Sequence, residues 1–161
     1  MNYANILTLN QQNQTQKKRY VPDLSALMAA CELNYVRLQK LFPQMSNTDH
    51  HQVHLTDERQ DFGAVHFTVQ ERAAYTTHLS IVRPPHKWVD HWQMMVRIYH
   101  DAKLAEVIEC QAQPRIRAVN DYPNARMHQR DEKMQLNIFL GEWLQSCLNH
   151  GHSAEKIVAI G

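Results

Sequence analysis

Glycine is scarce in this chain, with four in 161 residues. Neither a GxGxxG nor a GxxxxGKS/T phosphate loop occurs, so the usual loops that cradle nucleotides are excluded. Cysteine is scarcer still: Cys31, Cys110 and Cys147 lie far apart, each in an apolar context. Three distant thiols suit buried thiols in a reducing compartment better than disulfides or a zinc site. Net charge is nearly absent as well. Seventeen basic against sixteen acidic residues leave +1, which gives no global attraction to nucleic acid or an anionic membrane. No apolar run approaches the roughly 18 residues of a membrane span. The first residues, MNYANILTLNQQNQTQKKRY, lack a basic region followed by an apolar one and do not read as a secretory signal. These absences lead to an expected cytoplasmic location, with no membrane and no nucleic-acid partner. No GxSxG elbow and no cysteine adjacent to a histidine points to nucleophilic catalysis.

What is present is pattern. Leu136, Phe139, Leu140, Trp143, Leu144, Cys147 and Leu148 recur at helical spacing, with Gly151 placed to stop the helix. Residues 1–18 are rich in Asn and Gln without sustained periodicity and read as a disordered tail. Pro22 and Asp23 open a first helix with the stripe Leu24, Leu27, Met28, Cys31, Tyr35, Leu38 and Leu41, ended by Pro43.

The period then changes to two: Val53 and Leu55, then Val65, Phe67 and Val69, then Thr77, Leu79 and Ile81. Such alternation predicts antiparallel strands covered on one side. A hairpin loop is expected at 71–74 and a surface loop at 83–92, where two prolines break the pattern. Residues 92–110 read as a second hairpin turning near His100, Asp101 and Ala102. Facing Tyr99 with Leu104 sets Arg97 opposite Glu106, Val96 opposite Val107 and Met95 opposite Ile108. A short strand over 115–119 and a turn over 121–124 precede the final helix. The expected fold is α+β: a two-layer sandwich with an antiparallel sheet of five to six strands, its N-terminal and C-terminal helices on one face. The domain spans 19–151, followed by a tail, 152–161, apolar enough to dock.

Three stretches resemble a known family. RYVPDLSALMAACELNYVRLQKLFP from Arg19, MVRIYHDAKLAEV from Met95, and DYPNARMHQRDEKMQLNIFLGEWLQSCLNHG from Asp121 are similar to the YqiB-like bacterial proteins, domain of unknown function 1249. The Asn/Gln-rich tail and the 83–92 loop have no counterpart in that pattern. The resemblance implies no established activity and supplies no catalytic residues.

Candidate chemistry falls where the second hairpin's tip meets the final helix. Tyr99, His100 and Asp101 lie at the tip; Tyr122, Asn124, His128, Arg130 and Asp131 lie in the lead-in to the helix. Such a cluster suits anion binding at a helix N-terminus or general acid/base work. Each part also has a plain structural use, as turn chemistry at His100-Asp101 or as a dipole partner at Asp131. His128 and Glu132 have i, i+4 spacing, but no HExxH and no matching ligands accompany them, so no metal and no cofactor is expected. Eleven histidines invite a metal reading, yet alternation alone places His54, His66 and His78 on the polar strand face, two of them as possible cross-strand neighbours.

The leading expectation is a non-catalytic module that binds a protein partner or a small anionic ligand through Tyr99, His100, Tyr122, Asn124, His128 and Arg130. The rival is a hydrolase or transferase acting on a phosphorylated small molecule. There His100 or His128 would be the acid/base, Asp101 or Asp131 its orienting carboxylate, and Arg130 the anion clamp. A structural subunit is the third reading, and the oligomeric state stays open.

Overall fold

The computed structural model describes residues 23–87, 91–112 and 125–153, apart from the side chains of 112, 125–131, 152 and 153. The elements are α1 (Leu24–Leu41), β1 (His50–Thr56), β2 (Asp61–Arg72), β3 (Thr76–Arg83), β4 (Trp92–Tyr99), β5 (Leu104–Ala112), α2 (Ala125–His150) and β6 (Gly151–Ser153). The strands form one antiparallel sheet in the order β5-β4-β3-β2-β1-β6. Both helices bury residues in one core with a single face of the sheet, so the expected α+β sandwich is the observed one. No described helix is long and apolar enough to cross a membrane.

The α1 helix starts where the sequence places it, because Asp23 Oδ1 accepts the Ala26 N–H at 3.0 Å and satisfies one of the free donors of the first turn. Its buried face is rotated from the expected stripe. Leu24 is 68% exposed and Met28 is also exposed, whereas Asn34 is buried beside Cys31 and Leu38. Asn34 is tolerated there because its Nδ2 donates to the Asn137 carbonyl at 3.1 Å. After the helix, Arg72 holds the connection down: Nε and Nη2 both donate to the Met45 carbonyl, and Nη1 pairs with Asp49.

The alternating residues Val53, Leu55, Val65, Phe67, Thr77, Leu79 and Ile81 all point into the core. The strands run longer than alternation indicated: β2 continues to Arg72 and β3 starts at Thr76, so the first turn is 73–75 rather than 71–74. In the second hairpin the register is as expected from Tyr99↔Leu104 to Val96↔Val107. A bulge between Met95 and Val96 then sets Met95 against Glu109 instead of Ile108. Arg83 and Trp92, expected in a surface loop, are the paired ends of β3 and β4 and are 1% and 3% exposed.

Asn137 anchors α2 to the sheet from a fully buried position. Its Oδ1 accepts the Val107 N–H on the outer strand β5 at 3.0 Å, while its Nδ2 donates to the Lys133 carbonyl at 2.8 Å. Leu140, Leu144 and Cys147 fill the core below it. Beyond His150 the chain passes directly into β6, which pairs with β1 through Leu55↔Gly151 and Val53↔Ser153. The start of the tail therefore docks as an edge strand. The sixth strand is β6; the expected strand at 115–119 lies outside the described residues, as do the tails 1–18 and 154–161.

Candidate functional site

The hairpin tip is split by the pleat of the sheet. Successive residues of a strand point to opposite faces, so Tyr99 and His100 part company. Tyr99 lies on the outer face and donates its hydroxyl to Glu106 Oε1 at 2.9 Å. His100 lies on the helix side, with Nε2 2.8 Å from Thr77 Oγ1 and its ring edge-on to Tyr35 at 6.4 Å. Asp101 is exposed at the tip. Tyr122 and Asn124 lie outside the described residues, and of His128, Arg130 and Asp131 only the backbone, in the first turns of α2, is described. The structure thus brings His100, but not Tyr99, to the α1 side of the tip.

The outer sheet face carries a strip of charge. Glu106 receives the Lys133 ammonium at 2.8 Å as well as the Tyr99 hydroxyl, and Arg97 stands opposite it in register. Burial penalises the Glu106 charge, but the hydrogen bonds from Lys133 and Tyr99 and the nearby cations outweigh this and hold the carboxyl below its ordinary value. A depressed carboxylate stabilises the fold above its unfolded pKa, and that contribution is lost as pH falls through the lower folded value. Glu106→Gln is therefore expected to be less stable than wild type near neutral pH, with the gap closing below about pH 4. Urea midpoints measured from about pH 7 down to pH 3 check this; a constant gap would mean that the charge contributes nothing.

Further along the strip, Arg97 Nε donates to His78 Nε2 at 3.0 Å, and His78 Nδ1 faces Glu71 Oε2 at 3.5 Å. Since Nε2 accepts, the His78 proton sits on Nδ1, towards the carboxylate. The carboxylate and imidazole have the order of a catalytic dyad, but the nitrogen that a general base would use is taken by Arg97. His54 pairs with Asp61 at 3.0 Å. His54 sits opposite Ala64, His66 opposite Gln52 and Val82, and His78 opposite Glu71, so no two of these three histidines stand directly opposite each other across strands. Among the described residues no three His, Cys, Asp or Glu side chains gather as a metal site. Burial raises the thiol pKa of Cys31 to about 11 and of Cys147 to about 12, which keeps both protonated and unreactive at neutral pH.

Three surface concavities accompany these groups. One, of about 640 Å³, lies between α1 and the hairpin tip and is lined by Glu32, Tyr35, Val36, Gln39, Lys40, Ala102 and Lys103. Lys103 holds a left-handed backbone, φ 54°, that favours glycine. A second, of about 540 Å³, runs between α1 and α2. A third, of about 560 Å³, lies among Thr56, Asp57, Glu58 and His150. Sequence reading missed the first because Tyr35 and Lys103 are joined only by the fold.

It also missed the buried cation. Arg83 donates from Nη2 to the Phe62 carbonyl at 2.6 Å and lies 4.4 Å from the Trp143 ring centroid, while Nε, Nη1 and the Trp92 indole N–H have no hydrogen-bond partner among the described residues. Arg83 and Trp92 line none of the three concavities. The only signal available was an arginine directly after an apolar strand.

The architecture defines a small α+β sandwich with concavities on its surface. The chain belongs to the family described as protein of unknown function (DUF1249), which matches residues 37–153. It is 40% identical over 143 residues to the uncharacterized protein YqiB of Escherichia coli strain K12, a match covering 85% of this chain and 96% of that protein. The uncharacterized YqiB proteins of E. coli O6:H1 and O157:H7 match to the same extent. No solved structure matches. The YqiB-like resemblance read in the motifs from Met95 and Asp121 is borne out.

Proposed function

We propose that this protein is a non-catalytic binding module that takes a small anionic ligand, or an acidic group of a protein partner, in the pocket between α1 and the hairpin tip. The observation that carries the reading is Lys103. A lysine in a left-handed conformation costs about 1 kcal/mol more than glycine would. Its side chain therefore has a use at the pocket rim, where Lys40 supplies a second cation. His100 braces Tyr35 in the wall. The occupied Nε2 atoms of His78 and His100 and the protonated thiols support binding over acid/base or nucleophilic chemistry.

Lys103→Gly is expected to have effects of opposite sign. The relaxed turn should gain about 0.5–1 kcal/mol of stability. Binding of inorganic phosphate and of a short acidic peptide, followed by calorimetry at low salt where surface charge is least screened, should weaken several-fold. A preference for one probe assigns the occupant to that source. Equal binding of both probes by wild type and Lys103→Gly, or no binding by either protein, would remove this pocket as the site.

A further inference from the structure

The α1 helix is apolar on two sides. One face carries the buried residues Cys31, Asn34 and Leu38. On the opposite face Ala26, Ala29, Leu33 and Val36 recur at spacings of three, four and three, and all four are exposed, Leu33 by 52% and Val36 by 47%. A helix face that meets water is ordinarily polar. This one has the spacing of a coiled-coil seam, and its two alanines let a second helix axis come close. Lys40, the next position of the series, ends the apolar run. Ile138 on α2, 42% exposed, lies beside Leu33 in the lining of the groove between α1 and α2, so the apolar patch reaches across both helices.

The charges that flank the seam identify what fits it. With Leu33 at position a of a heptad and Val36 at d, Glu32 stands at g on one flank and Arg37 at e on the other. Neither has an ion-pair partner among the described residues. Arg37 is held at the groove by its Nε, which donates to Gln145 Oε1 at 3.3 Å. In a parallel pair of helices related by a two-fold axis along them, each flank of one copy meets the opposite flank of the other. Glu32 then faces Arg37 of the second copy, and Arg37 faces its Glu32. An antiparallel pair would bring each flank against its own kind, arginine towards arginine. The face is therefore complementary to itself in one orientation only. We propose that α1 pairs in parallel with α1 of a second copy of this chain, through the seam Ala26, Ala29, Leu33 and Val36 and two Glu32–Arg37 ion pairs. The apolar run is about 15 Å long, which keeps the contact below the roughly 800 Å² per partner of a standard interface and places the Kd at about 10–100 µM. Glu32, Val36 and Lys40 also line the hairpin-tip pocket, which opens at the margin of this contact.

The test is sedimentation velocity of the full chain at low salt, from about 5 to 500 µM, across which wild type should pass from monomer to dimer. Glu32→Arg and Arg37→Glu should each weaken the dimer at least tenfold, because each sets like charges together at two places. An equimolar mixture of these two variants should dimerise as wild type does. The introduced arginine of one chain then faces the introduced glutamate of the other, and the native Arg37 faces the native Glu32. Leu33→Asp, at an exposed position in the seam, should remain monomeric, and it decides the matter if Arg37→Glu, which also loses the Gln145 contact, does not fold. Lys103→Gly should dimerise normally, so the dimer and the hairpin-tip pocket can fail separately. Any of four results would overturn the proposal: wild type monomeric at about 500 µM, an undiminished dimer in Leu33→Asp, undiminished dimers in both charge reversals, or a mixture of the two folded variants that stays monomeric.

Discussion

Trp143→Ala is expected to melt about 6–12 °C below wild type, corresponding to a loss of about 3 kcal/mol, whereas Glu142→Ala changes stability by less than about 0.5 kcal/mol. The two residues are neighbours on α2 but meet different surroundings. Glu142 is exposed, while Trp143 packs edge-on against Trp92 at 5.2 Å and near Phe139 at 6.3 Å. Trp143 is half-buried, which places its truncation at the low end of the range for aromatic residues in cores. A second loss adds to this. The ring also lies over the buried Arg83 guanidinium, whose Nε and Nη1 have no hydrogen-bond partner among the described residues, so truncation leaves that cation without its aromatic face. Differential scanning calorimetry of the two variants checks the contrast. Melting within about 2 °C of each other would mean that the ring does not pack on the strand ends.

Much of this arrangement was legible from residue patterns, because a one-sided sheet writes its buried face into the sequence as alternation. Val65, Phe67, Leu79 and Ile81 are buried because a one-residue slip would turn them all to solvent. The bulge near Ile108 was less legible, although Val107-Ile108 is a doublet in an alternating strand and such a doublet is where a bulge can hide. Asn34 and Asn137 escaped because a search for apolar stripes passes over polar residues at stripe positions. The Asn34 amide donates to the Asn137 main-chain carbonyl, and the Asn137 amide bonds the edge strand and the Lys133 carbonyl, so both belong to the core on grounds of hydrogen bonding. Arg83 and Trp92 were hidden by Pro84 and Pro85, which mark a loop but do not say that the strand ends one residue earlier.

The candidate site was only partly legible for a related reason. A hairpin tip can be located from turn residues, but the face each neighbour takes depends on the pleat. Tyr99 and His100 are adjacent in sequence and serve opposite sides of the sheet. Tyr99 joins the Glu106–Lys133 strip, and His100 supports the wall of a pocket completed by α1. Sequence proximity therefore suggested one cluster where the fold builds two surfaces, and each now has its own variant, Glu106→Gln for the strip and Lys103→Gly for the pocket.

Gly151→Ala should cost about 3 kcal/mol, although the added group is one methyl. The reason lies in the abrupt passage from α2 into β6. Gly151 stands at the end of the helix and opposite Leu55 in β1 at once, so its Cα is pressed between the last helical turn and the neighbouring strand. A Cβ there would fall 2.1 Å from the Cys147 carbonyl oxygen and 2.5 Å from Val53 Cγ1. Neither atom can yield cheaply. The carbonyl is helix backbone, and Val53 is a buried, β-branched core residue. Two responses are open to the chain: the last turn of α2 unwinds, or β6 leaves the sheet. The second removes a three-residue strand and exposes the edge of β1, which limits the loss but leaves a signature. Hydrogen exchange should speed up at the Val53 and Leu55 amides in Gly151→Ala, while the β3–β4 amides keep their protection. A variant with wild-type melting and unchanged exchange in β1 would mean that β6 does not pair with β1 as the structure places it.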